Sequence, residues 1–177
     1  MSRAPDTFSQ SFSMAELLVH ALVIELEAVQ SYKDLAVQMQ QCGNDEVAEL
    51  FEKMSELEAG HAAKIREKAG DIELPDLAPW EYRWPDLEPP ENIDLGGIHY
   101  LMTPHHALKL ALENEMHAMA FFEAAANDCT DERIRSLAIE FAGDERQHVA
   151  WMEDWLAKYP EPDADWDYDP DPPAAID

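Results

Sequence analysis

Basic charge is scarce in this sequence: 12 lysines and arginines face 38 aspartates and glutamates in 177 residues, a formal net charge of −26. Such a chain repels phosphate backbones and anionic lipid headgroups, which argues against nucleic acid and membrane partners. It attracts cations, divalent metals included, although solubility alone is the simplest consequence of the charge. Cysteine is also rare. Cys42 and Cys129 stand alone, with no C-x-x-C pair, which excludes a disulfide framework and a cysteine-rich zinc or iron site. Both are expected to be reduced thiols. Long apolar runs are missing, since none approaches the roughly 20 residues that cross a bilayer. The first ten residues are polar and lack the apolar stretch of a secretory signal. The expected location is the cytoplasm.

What is present is helical periodicity in four stretches, enough chain for one domain with a sizeable core. The first is predicted over about 14–41, opened by Ser13 with Glu16 three residues on, a capping-box pattern. The second runs over about 45–69, from Asn44 as its N-cap to Gly70 as its stop. The third begins at Thr103-Pro104 and ends near Asn127; the fourth covers about 131–159 and stops at Pro160. Short links around Gly43 and Cys129 make two antiparallel hairpins. Between the hairpins lies a connection of about 70–102 rich in proline, tryptophan and acid. A structureless link of that length is unusual in a compact domain unless it has a task. Here it lets the third helix start at the end where the second starts, with Trp80, Tyr82 and Trp84 expected to pin it to the bundle. The predicted organisation is an N-terminal extension over 1–12, an all-α bundle over 13–159 and an acidic tail over 160–177. The tail is rich in proline and acid, a composition that reads as disordered.

The two hairpins repeat one another. Residues 42–61 align without gaps on 129–148, which superposes Leu50 on Leu137, Glu58 on Glu145 and His61 on His148. One helix earlier, Glu25 with Tyr32 seven residues on matches Glu115 with Phe122 seven residues on. A lone Glu-x-x-His carries little information in so acidic a chain. The informative fact is where both copies sit. Steps of three and four trace an apolar stripe along each helix, and Glu25, Glu58 with His61, Glu115, and Glu145 with His148 all fall on those stripes. Four carboxylates and two imidazoles are thereby predicted to meet in the core near mid-bundle.

Buried unpaired carboxylates cost several kcal/mol each or take up protons. Two divalent ions bring enough positive charge to neutralise four of them. Residues three apart share a helix face, so Glu58 with His61, and Glu145 with His148, can each grip one ion. Glu58 and Glu145 are suited to bridge both ions, with Glu25 and Glu115 as terminal ligands. The other histidines, at 20, 99, 105, 106 and 117, are expected on the surface or in loops. Asp144 is a candidate acceptor for a ligand histidine. Tyr32 is a candidate neighbour of the metals through its hydroxyl, which needs a partner once buried.

This pattern resembles the ferritin-like superfamily, and rubrerythrin-like proteins most closely. The residues that carry the resemblance are Glu25 with Tyr32, Glu58-Ala59-Gly60-His61, Glu115, and Glu145-Arg146-Gln147-His148. It implies a four-helix bundle with a long crossover and a carboxylate-bridged pair of iron ions, replaceable by manganese or zinc in recombinant protein. Members of that superfamily reduce hydrogen peroxide, oxidise ferrous iron or activate dioxygen. The rubredoxin pattern of paired C-x-x-C motifs that rubrerythrins usually carry does not occur here, which implies a separate electron donor such as a rubredoxin. Ala118 and Met119 stand where rubrerythrins place an extra glutamate, and Phe122 where a second tyrosine could be; both departures move the site toward a plain ferroxidase. The expectation is a di-iron oxidoreductase using peroxide or dioxygen, with a homodimer as its commonest assembly. The rivals are a non-catalytic iron buffer and an oxygenase acting on an organic substrate.

Overall fold

The structure is a computed structural model that describes residues 12–85, 89–90, 93 and 98–170. Its helices are α1 (Met14–Gln41), α2 (Asp45–Ala69), α3 (Pro104–Asp128) and α4 (Glu132–Leu156), with one short 3-10 turn at Pro79–Glu81. No strand occurs among the described residues. The chain is an all-α four-helix bundle in which α1 packs along α2 and α3 along α4.

Local chemistry explains the helix ends. At α1 the Ser13 amide donates to the Glu16 carboxylate at 2.7 Å, and the Glu16 amide donates to the Ser13 hydroxyl at 3.2 Å. The capping box read from the sequence is therefore formed. At α4 the Asp131 side chain accepts from the amides of Arg133 and Ile134. The turn between α1 and α2 places Gly43 at φ +74°, a conformation that costs glycine nothing. Asn44 sits at the N-cap of α2, yet its side chain makes no cap bond. Its amide donates instead to the carbonyls of Tyr100 and Met102, at 3.1 and 2.8 Å. This tie holds the end of the crossover against the start of α2. The fourth helix ends at Leu156, short of the predicted Tyr159.

Two apolar clusters fill the bundle. One gathers the start of α1, the end of α2, the end of α3 and the start of α4 around Leu17, Ile24, Phe121, Phe122 and Phe141. The other gathers the opposite helix ends around Leu35, Met39, Phe51, Met54 and Leu108. Each large side chain so buried stabilises the fold by roughly 1.5–3 kcal/mol. The clustering sets α2 parallel to α3, so the crossover traverses the length of the bundle.

Three expectations are corrected here. Trp84 is buried and Tyr82 packs on the first cluster, but Trp80 is 84% exposed and pins nothing. His20, expected at the surface, is 1% exposed. Its ring meets Phe12, Tyr82, Trp84 and Phe121 at centroid distances of 4.9–6.1 Å. Its Nδ1 donates to the Glu16 carbonyl and its Nε2 accepts from the Arg83 amide. Burial pushes its pKa down to about 4, so it is a neutral bolt between α1 and the crossover. The acidic tail also has contacts. Trp166 lies 4.0 Å from the His106 ring and 5.4 Å from His99, and the Tyr100 hydroxyl donates to Asp169 at 2.6 Å. Composition could not foresee this, because one tryptophan anchors an otherwise polar segment. The N-terminal extension, apart from the buried Phe12, and residues 171–177 of the tail lie outside the described residues.

Candidate metal centre

Between the two apolar clusters lies a polar layer. Glu25, Glu58, Glu115 and Glu145 are only 1–3% exposed, and His148 is 5% exposed. His61 completes the layer, its side chain 13% exposed. All six predicted ligands are brought together. No lysine or arginine is among the buried residues described.

The layer has two similar halves. In α1 and α2, the His61 Nδ1 donates to Glu58 at 2.8 Å and stands 3.7 Å from Glu25. In α3 and α4, the His148 Nδ1 lies 2.9 Å from Glu145 and 3.1 Å from Glu115. The halves meet through the two imidazoles, which stack with centroids 4.0 Å apart and planes 11° from parallel. Two sets of donor atoms could each hold an ion: Glu58, His61 and His148, and Glu115, Glu145 and His148. Within each set one ligand atom per residue lies within 4.8 Å of the others.

Electrostatics reveals the cost of this layer. Burial drives the Glu25 carboxyl well above the usual carboxylate range; attraction to His61 opposes the shift, and the charges of Glu145 and Glu58 add to it. Burial likewise raises Glu115 to about 8, against its hydrogen bond with His148. The imidazoles move the same way for a different reason. Burial disfavours their charge, but the neighbouring carboxylates of Glu25 and Glu58 raise His61 to about 9. Bonds to Glu115 and Glu145 raise His148 to about 10. One Glu25 oxygen is buried with no hydrogen-bond partner, 3.7 Å from the His61 Nδ1. An orphaned oxygen among buried acids is the environment that a cation relieves. The residues fit a pair of metal ions.

The layer reaches solvent between α2 and α4 through a cavity of about 20 Å³, beside Lys64, Lys68 and Asp144. Asp144 is exposed, and no hydrogen bond joins it to either ligand histidine among the described residues. The structure puts it at the mouth of the site. Tyr32 is buried, its ring 6.0 Å from that of Phe51 in the second apolar cluster. Sequence reasoning singled out none of Asn114, Lys64, Lys68 and Trp151. Asn114, next to Glu115, is buried with its amide nitrogen unpartnered. Lys64 and Lys68 bring two of the few cations to the mouth. Trp151 stacks on His148 at 5.5 Å; its place one turn after His148 was the available signal.

A four-helix bundle whose paired hairpins each contribute two glutamates and a histidine to one buried layer defines the class of ferritin-like carboxylate proteins. The rubrerythrin family matches residues 16–156, and the chain belongs to that family. It is 37% identical to an uncharacterized conserved protein from Magnetospirillum magnetotacticum MS-1, whose crystal structure superposes with a TM-score of 0.65. That similarity covers 86% of this chain and 99% of the other. No curated protein matches the chain. The rubrerythrin family supports a di-iron carboxylate protein. No helix among the described residues is long and apolar enough to cross a membrane.

Proposed function

We propose that the protein is a di-iron oxidoreductase of the peroxidase or ferroxidase type. Glu25, Glu58, His61, Glu115, Glu145 and His148 would hold two iron ions, which manganese or zinc can replace in recombinant protein. The observation that carries this reading is the buried acid layer without lysine or arginine, one of whose oxygens has no partner. Iron at such a site supplies reversible one-electron chemistry.

The chain's own residues do the rest. His61 and His148 give up the protons they hold in the metal-free state, so that metal binding is coupled to proton release. The apolar clusters above and below the layer exclude bulk water. The 20 Å³ cavity at the mouth admits little more than a water-sized molecule. That size favours hydrogen peroxide or dioxygen as the oxidant and disfavours an organic substrate held at the ions. Asp144 lines the mouth, and Tyr32 packs against the layer's apolar flank. Electrons come from a separate donor. The protein works in the cytoplasm as a homodimer.

Metal analysis of protein purified without chelator tests this reading, together with an absorption spectrum and oxygen or peroxide consumption. About two ions per chain and saturable turnover are expected. A fully loaded preparation with fewer than about one ion per chain would sink the reading. Stoichiometric binding without turnover would favour an iron buffer.

A further inference from the structure

A second concavity lies along the same seam of α2 and α4. It is an open groove of about 470 Å³ lined by Leu57, Trp151, Met152 and Trp155, with Lys53 and Glu56 among them. Trp151 is the unusual member. It is 43% exposed, and its ring stacks on His148 with planes 24° apart. His148 stacks in turn on His61. Three aromatic rings therefore form one column from the groove to the junction of the two half-sites. A tryptophan that merely shielded His148 would be buried over it. This one keeps a large part of its surface in the groove.

The groove's size falls within the roughly 300–1,000 Å³ common for small-molecule sites. Two indoles and two aliphatic side chains favour a flat, apolar ring system. The lysine offers an N–H donor to a ring carbonyl. A net charge of −26 works against carriers that bear phosphates. We infer that the groove between α2 and α4 binds an uncharged planar carrier of the quinone class, and that Trp151 relays its electrons to the buried centre.

The step balances. A quinol loses two electrons and two protons and becomes a quinone. The electrons would cross Trp151 and His148 one at a time to the two irons that the layer would hold, taking both from ferric to ferrous. The protons leave to water at the open rim of the groove. The relay rests on the di-iron reading; binding in the groove does not.

Two experiments test the two parts separately. Calorimetric titration of the metal-free full chain with menadione should show one site, weakened about tenfold or more by Leu57→Arg. Because Leu57 is half-buried, circular dichroism checks that variant's fold, and Lys53→Glu, a change at an exposed position, should weaken binding by about threefold. Unchanged affinity in both variants, or tighter binding of flavin mononucleotide than of menadione, overturns the groove assignment. In the iron-loaded protein, Trp151→Leu should slow the limiting rate of reduction by saturating menadiol about tenfold or more, with reduction by dithionite unchanged. A limiting rate within about twofold of the parent overturns the relay. If the chain binds no iron the di-iron reading and the relay fail together, and calorimetry still decides the groove.

Discussion

The two halves of the acid layer use the same residue types and are not equivalent. In the half built by α3 and α4, His148 sits within 3.1 Å of both its carboxylates and its side chain is 6% exposed. In the half built by α1 and α2, His61 reaches Glu58 but stops 3.7 Å short of Glu25, and it is twice as exposed. The unpartnered oxygen belongs to Glu25, in the looser half. The difference teaches that a repeated sequence motif sets ligand identity, whereas satisfaction of each ligand depends on the helix opposite. The tight half is close to a closed network of charge-assisted hydrogen bonds. The loose half retains unmet demand for a cation, and both halves line the mouth beside Lys64 and Lys68.

The largest expected effect comes from removing a carboxylate that both ions need. Glu58→Ala should reduce loading from about two ions per chain to one or fewer, measured by metal analysis after dialysis. Glu145→Ala should do the same. If either variant keeps full loading, the two halves do not share a centre.

The pH dependence of stability comes next. Glu25 and Glu115 have folded pKa values above their ordinary range, and so do His61 and His148. A raised acid is neutral in the folded state and ionised in the unfolded chain between its two pKa values. Its contribution therefore declines as pH rises through that interval, for Glu115 from its ordinary value up to about 8. A raised histidine contributes fully below its ordinary value and loses that contribution as pH rises through about 9 for His61 and about 10 for His148. All four signs agree: the metal-free protein should lose stability steadily from mildly acid to alkaline pH. Iron- or zinc-loaded protein should show a flatter profile, because ions replace the protons. Thermal melting across pH, with and without metal, makes the check; rising stability of the metal-free form with pH would contradict it.

A finer test separates the halves. In metal-free protein Glu25→Gln removes a buried acid with an unmet oxygen and should be neutral or stabilising by about 1 kcal/mol. Glu115→Gln keeps an oxygen that can accept from His148 but removes the charge that strengthens that bond, and should cost about 1–3 kcal/mol. Denaturant unfolding measures both, and equal effects would erase the distinction drawn above. The smallest effect is expected from Asp144→Asn, which is exposed and touches neither histidine; it should change metal-free stability by less than about 0.5 kcal/mol.

Much of this was legible in the residues. The start of α1 follows from its capping box, and the ends of α1 and α2 from Gly43 and Gly70, which act within four positions of the chain. The burial of the six candidate ligands was legible because an acid on an apolar stripe stands out at helical spacing, and the two copies stand in register. Other features had no such signal. The burial of His20 needs Trp84 and Tyr82 from a crossover more than 60 residues away, and no periodicity announces that meeting. The side chain of Asn44 abandons its own helix for Tyr100 and Met102 for the same reason.

By itself, then, the sequence determined the four helices, the two hairpins and the chemistry of the layer, because those depend on local spacing and on which side chains are ionisable. Tertiary structure decided which half of the layer is tight, what lies over its mouth, and that Trp151 bridges a surface groove to His148. These depend on distances of a few ångströms between helices that no local pattern encodes, and a shift of less than one ångström separates the bonded Glu115 from the unmet Glu25.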